Sequence, residues 1–191
     1  KAPLDRPELT AADIRAHRWP SMDDQAVALR IAGLRQQAEE YRKAGYAVML
    51  KDSFAGLFEM AQRIVGMERL LVMMAEEPLL AGVLFDELVD LKLNFWEKAL
   101  PQLADVVDII SQADDYGTQA SQIISPAMFR KQLKPRWQVI FDRIRQLAPS
   151  AWFFFHSCGN VRPLIPDYIE LGTQILNPVH IRAAGMKPTQ L

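Results

Sequence analysis

His156 and Cys158 stand two residues apart at the end of the run Trp152-Phe153-Phe154-Phe155. They are the chain's single cysteine and one of its three histidines. In an extended segment, residues i and i+2 point to the same side of the strand. An imidazole and a thiol on one face suit Zn²⁺, which takes about four ligands, Cys and His among them. A zinc centre with an open position can bind an incoming thiol and deprotonate it. The single cysteine sets a limit, because any further thiolate ligand would come from outside this chain. The same two residues also fit a small buried thiol and a hydrogen-bonded histidine at a strand end. Spacing alone favours that structural reading.

Asp114 and Asp115 form a second group. Adjacent carboxylates can push one pKa upward and work as an acid/base pair, or hold a cationic or pyrrole N–H group. Asp also caps helices and shapes turns routinely, and both readings stay open here. Gln119 follows in the same polar stretch. Lys51-Asp52-Ser53 ends an earlier apolar run, and Asn177 with His180 ends a later one.

These groups need elements to position them. Residues 1–22 carry three of the twelve prolines and read as an extended lead-in, with a short helix near Thr10–His17. Ser21 followed by Asp24 resembles a helix N-cap, and Val27, Ile31, Leu34, Ala38 and Tyr41 recur at helical spacing up to Gly45. Tyr46–Leu50 reads as a strand. Leu57–Val65 and Met67–Met74 read as helices joined at Gly66. Leu79–Leu100 has one apolar stripe, and its methionine-rich neighbours are core filler. Pro101 interrupts, and Ala104–Ile110 is the next strand. Ser125 caps a helix that runs to Pro149, on which Lys134 and Arg136 form a solvated surface. The aromatic strand follows. Leu164–Leu171 is a short helix ended by Gly172, and Ile175–Val179 is a fourth strand.

Strands that are almost wholly apolar and alternate with helices imply a parallel sheet covered on both faces. No Gly-x-Gly-x-x-Gly follows any strand, so a dinucleotide-binding sheet lacks its usual mark. The expected fold class is α/β, a (β/α)8 TIM barrel. A full barrel takes roughly 250 residues, so residues 23–191 are expected to form an incomplete, N-terminal-to-middle portion truncated at its C-terminus. In such a barrel the polar strand-end loops converge on one mouth. Exposed strand edges imply either the remainder of a longer chain or association into a homo-oligomer.

Composition excludes several classes. The 22 basic and 23 acidic residues are well mixed and give a net charge of −1, without the basic patch of a nucleic-acid binder. No apolar run approaches the length of a membrane span. A single cysteine forms no internal disulfide, which points to a reducing, cytoplasmic setting.

The ordered motifs Asp114-Asp115-Tyr116-Gly117-Thr118-Gln119, Ile124-Ser125-Pro126, Lys134-Pro135, His156-Ser157-Cys158-Gly159-Asn160, Ile165-Pro166-Asp167-Tyr168-Ile169-Glu170 and Ile175-Leu176-Asn177-Pro178-Val179 resemble the uroporphyrinogen decarboxylase superfamily. Gly56-Leu57-Phe58-Glu59 is a softer match. The resemblance implies a (β/α)8 barrel with its site at the carboxyl ends of the strands. True decarboxylases of this superfamily use an N-terminal Arg-Gln-Ala-Gly-Arg motif, which does not occur here. His156-x-Cys158 is instead similar to the zinc ligands of its methylcobamide:coenzyme M methyltransferase branch, whose third ligand, a later Cys, would fall beyond Leu191.

That resemblance reverses the balance at His156 and Cys158 in favour of a metal site. It implies zinc-assisted methyl transfer from a methylated corrinoid to a thiol or related acceptor. Asp114, Asp115 and His156 would be the catalytic groups, Gln119, Asn177 and His180 the substrate-binding ones, and His156 and Cys158 the metal ligands. The expected partner is a corrinoid protein or a tetrapyrrole substrate. Two alternatives accompany it: a uroporphyrinogen decarboxylase needing no metal, with Asp114 or Asp115 holding the pyrroles, and a non-catalytic paralogue that binds a corrinoid or tetrapyrrole.

Overall fold

A computed structural model describes residues 2–51 and 54–191; Asp52 and Ser53, part of the first strand-end loop read from the sequence, lie outside the described residues. The lead-in holds helix α1 (Ala11–Arg15), closed by a reciprocal capping box between Thr10 and Asp13. Helix α2 (Asp24–Ile31) is capped by Asp23, whose carboxylate accepts the Ala26 N–H; Ser21 supports that cap by donating to Asp23. The single helix expected here is two. Gly33, at φ 76°, breaks the chain before α3 (Leu34–Lys43).

Strand β1 (Met49–Lys51) leads into α4 (Leu57–Val65), α5 (Met67–Glu76) and the long α6 (Pro78–Leu103). Gly66 separates α4 from α5. Pro101 does not interrupt α6. It sits in the last turn, where one missing N–H does not stop the helix reaching Leu103. Strand β2 (Ile109–Ala113) begins and ends later than the apolar run Ala104–Ile110 suggests, because Val106 and Val107 are buried in the approach to the strand rather than in it.

Ser125 caps α7 (Pro126–Met128) as expected, accepting the Met128 N–H. The helix then widens into a π turn over Phe129–Leu133, in which the Lys134 N–H reaches back to the Phe129 carbonyl. Pro135 offers no N–H to the regular ladder, and the register slips by one residue there. Helix α8 (Lys134–Leu147) continues. Lys134 and Arg136 are not simply solvated: Lys134 Nζ lies 2.8 Å from Asp167, and Arg136 Nε lies 2.8 Å from Asp86. Strand β3 (Trp152–His156), α9 (Ile165–Leu171) and β4 (Ile175–Asn177) complete the order, β4 ending two residues before the expected Val179.

The four strands form one parallel sheet in the order β1-β2-β3-β4. Their register aligns Lys51 with Ser111, Ser111 with Phe154, and Phe154 with Ile175. Two residues further on, Ala113 aligns with His156 and His156 with Asn177. Strand β3 has two unlike faces. Phe153 and Phe155 are buried under α8, with Phe155 5.3 Å from Trp137 and Phe153 5.1 Å from Phe141 by ring centroids. Trp152 is 55% exposed, so the aromatic run is a one-sided strand and not a fully buried one. His156 belongs to the less buried face, which is what leaves its ring available.

Candidate active site

Three residues from two adjacent strand-end loops meet at the carboxyl edge of the sheet. His156 is the last residue of β3, Cys158 lies two beyond it, and Asp115 lies two beyond the end of β2. Cys158 Sγ is 3.4 Å from His156 Nε2, and Asp115 Oδ1 is 3.6 Å from the same nitrogen. One ligand-type atom from each of the three falls within 4.8 Å of the others, and all three residues are half-buried.

Close backbone packing produces this meeting. A Cβ on Gly117 would lie 2.5 Å from the Cys158 carbonyl oxygen, and one on Gly159 would lie 2.5 Å from the Gly117 carbonyl carbon. Gly159 also adopts φ 80°, open to glycine at little cost. The two loops therefore touch backbone to backbone. The Cys158 N–H donates to Asp115 Oδ1 at 2.7 Å, pinning one loop to the other through the carboxylate itself.

Asn177 orients the histidine. Its Oδ1 lies 2.7 Å from His156 Nδ1. An amide oxygen only accepts, so Nδ1 carries the ring proton and Nε2 presents its lone pair towards Cys158 and Asp115. Burial pushes the Cys158 thiol above its ordinary pKa, and the negative charges of Asp115 and Glu59 push it the same way. Without a cation the thiol is protonated and placed to donate to Nε2.

Asp114 and Asp115 do not work as a pair. Successive side chains diverge, and Asp114 turns away from the mouth into complete burial. Its Oδ2 accepts the Phe58 N–H and its Oδ1 the Glu59 N–H, each at 2.9 Å. Gly56, at the N-cap of α4, has no side chain to cap the helix, and Asp114 does so from just beyond the end of the neighbouring strand β2. A Cβ at Gly56 would lie 2.1 Å from Asp114 Cγ. The Tyr116 hydroxyl donates to Asp114, and Trp137 Nε1 donates to that hydroxyl at 2.9 Å. Burial raises Asp114 to about 7, against the lowering effect of those hydrogen bonds. The raised pKa comes from desolvation, not from the neighbouring carboxylate.

Gln119 and His180 meet each other at the same rim, with the Gln119 amide 3.3 Å from His180 Nε2. The Gly159 N–H donates to His180 Nδ1 at 3.3 Å, tying this pair to the residue next to Cys158. Beside the triad lies a cavity of about 510 Å³ lined by Lys51, Phe54, Ala55, Glu59, Arg63, Ala113, Asp115 and His156. Sequence reasoning missed Ser157. It is fully buried on the opposite side from its neighbours and accepts the Tyr116 N–H at 3.2 Å. The period of two that places His156 and Cys158 together carries that signal. Glu59 ends the softer motif Gly56-Leu57-Phe58-Glu59, but no local period marks it as facing the site, since it arrives on a helix that follows the preceding strand-end loop.

A model of the uroporphyrinogen decarboxylase (URO-D) family matches residues 4–180. Among solved structures, a methyltransferase from Methanosarcina mazei is similar, with a TM-score of 0.58 at 18% identity. The likeness covers 92% of this chain and 47% of that one, so the chain spans less than half the length of that protein. At such identity the likeness establishes the fold: the parallel sheet is a portion of a TIM barrel. No curated protein sequence matches the chain. No helix among the described residues is long and apolar enough to cross a membrane.

Proposed function

The chain belongs to the uroporphyrinogen decarboxylase (URO-D) family, and from that premise we propose that it is a methyltransferase-like member that moves a methyl group from a methylated corrinoid to a thiol or related acceptor, with zinc held by His156 and Cys158. One observation carries the reading: an imidazole nitrogen and a thiol sulfur lie 3.4 Å apart at the mouth of the sheet, beside a carboxylate and an open cavity. The donor set suits zinc, which combines nitrogen, sulfur and carboxylate ligands readily. When bound, zinc would lower the pKa of a coordinated acceptor thiol so that it is a thiolate at neutral pH.

The chain's own residues supply the rest. Asn177 holds the His156 ring with its Nε2 lone pair facing the site, as hydrogen-bonded partners of ligating histidines commonly do. Cys158 would hold zinc as a thiolate, and the cation would offset the repulsion that Asp115 and Glu59 exert on that charge. The cavity bounded by Phe54, Ala55 and Ala113 offers a place for the acceptor next to His156 and Asp115. Gln119 and His180, which meet at the rim, would contact the donor. Asp114 is a positioning residue in this scheme, since its carboxylate is occupied by the N-terminus of α4 and by Tyr116.

The test is a comparison of two substrates on the intact protein. Zinc-loaded protein supplied anaerobically with methylcobalamin and a thiol should yield the methyl thioether and demethylated corrinoid, and Cys158→Ser should abolish the yield. Release of carbon dioxide from uroporphyrinogen by metal-free protein, with no thioether formed, would replace this reading with the decarboxylase.

A further inference from the structure

Two ligands do not make a catalytic zinc centre, which takes three from the protein and keeps one position open. We infer that Asp115 is the third ligand, so that Asp115, His156 and Cys158 form one three-donor face. The inference rests on the zinc reading above and departs from the expectation that a second thiolate supplies the third position.

The spacing supports it. With zinc–ligand bonds of about 2.0–2.3 Å, tetrahedral coordination sets sulfur and nitrogen roughly 3.6 Å apart and nitrogen and oxygen roughly 3.4 Å apart. The observed Cys158 Sγ to His156 Nε2 separation is 3.4 Å, and His156 Nε2 to Asp115 Oδ1 is 3.6 Å. Both edges that meet at the histidine are already close to those of a tetrahedron, and the 4.8 Å limit on the group bounds the third edge.

The carboxylate has the capacity to ligate. Asp115 Oδ1 accepts the Cys158 N–H on one lone pair, and a carboxylate oxygen has a second. That hydrogen bond also fixes the carboxylate relative to the sulfur before any ion arrives. Asp115 is unlike Asp114 in this respect, because the Asp114 oxygens are aimed at helix α4 and cannot reach the mouth.

A thiolate and a carboxylate with a neutral imidazole would bring two negative charges to a divalent cation, so the protein-bound centre would be neutral.

The test titrates the purified protein with Co²⁺ alone, followed by competition with Zn²⁺, and reads the visible d–d absorption and the dissociation constant. Asp115→Asn is the main variant, because its amide oxygen still accepts the Cys158 N–H and keeps the loop in place. Asp115→Glu, which keeps the charge and moves the oxygen, is the second. The wild type should show an intense four-coordinate cobalt spectrum with a sulfur-to-metal charge-transfer band. Asp115→Asn should keep that charge-transfer band, lose d–d intensity, and bind at least tenfold more weakly, with the metal-free melting temperature unchanged. Asp115→Glu should fall between them. Wild-type affinity and spectrum in both Asp115 variants, with Cys158→Ser losing the metal, would show that Asp115 only positions the loop. Unchanged binding in Cys158→Ser and His156→Ala as well would overturn the zinc reading itself, and this inference with it.

Discussion

His156 and Asn177 occupy paired positions on the adjacent parallel strands β3 and β4, and His156 Nδ1 lies 2.7 Å from Asn177 Oδ1. Strand register, a property of the backbone, thereby fixes which ring nitrogen carries the proton and which faces the thiol. Asn177→Ala should weaken zinc binding by about 10–100-fold, the usual cost of losing the partner of a ligating histidine. Asn177→Asp, which keeps the acceptor, should restore most of the affinity. Calorimetric titration of both variants with Zn²⁺ measures this; equal affinity in Asn177→Ala and wild type would remove Asn177 from the site.

Gly117 sets the approach of the two loops that carry Asp115 and Cys158. In Gly117→Ala the new methyl would meet the Cys158 carbonyl at 2.5 Å and the Asn160 nitrogen at 2.8 Å, both backbone atoms with little room to yield. The expected destabilisation is about 3 kcal/mol, at the upper end of over-packing penalties. Zinc affinity should fall with it, because the loops separate. Chemical denaturation and metal titration of the same variant should therefore move together.

Asp114 predicts a pH dependence of stability. Its folded pKa is raised to about 7 from an ordinary value of 3.8, chiefly by burial. Between those values the folded protein holds a proton that the unfolded chain has released. The contribution of this group to stability is therefore greatest at the acid end and is lost as pH rises to about 7. Asp114→Asn should flatten that part of the profile. Its own cost should be about 1–3 kcal/mol where an amide NH2 faces the donors of α4 or Tyr116. Urea unfolding of variant and wild type across pH 4 to 7.5 gives the comparison (a range on the order of the shift itself), and parallel profiles would refute it.

Asp167 behaves in the opposite sense. Burial raises its pKa, but hydrogen bonds from Arg130 and Lys134 outweigh that effect and leave it below the ordinary value. It stabilises the fold above the usual aspartate range, and this contribution is lost as pH falls through its lowered value. Arg130 Nε lies 3.0 Å from both carboxylate oxygens and Lys134 Nζ lies 2.8 Å from one. Asp167→Ala should cost about 2 kcal/mol at neutral pH, less than a fully buried pair because Arg130 stays half exposed. Its acid limb should be flatter than that of the wild type below pH of about 4. Thermal melts at neutral and acid pH distinguish this from a simple loss of packing.

The part of the site that sequence makes legible is the part governed by local period. Residues 156 and 158 share a face because alternate strand residues do, and Ser125 caps its helix through the N–H three residues on. Asp114 was not legible in the same way. Its amide partner at Phe58 is 56 residues distant, and adjacency to Asp115 suggests a carboxylate pair where the chain sends the two side chains to different places. Strand bounds shift for a related reason. Val106 and Val107 are apolar because the approach to β2 is buried, and composition does not distinguish a buried approach from a strand. The Gly117–Gly159 contact depends on two loops 42 residues apart meeting in space, which no local pattern encodes.

The most direct measurement is X-ray absorption at the zinc edge of the loaded protein, before and after addition of a thiol acceptor. The coordination shell should hold one sulfur, that of Cys158, with nitrogen and oxygen donors, and gain a second sulfur on adding the thiol, without loss of the imidazole signal. A zinc shell with no sulfur, or one whose sulfur count does not change when the thiol is added, would contradict the proposed function.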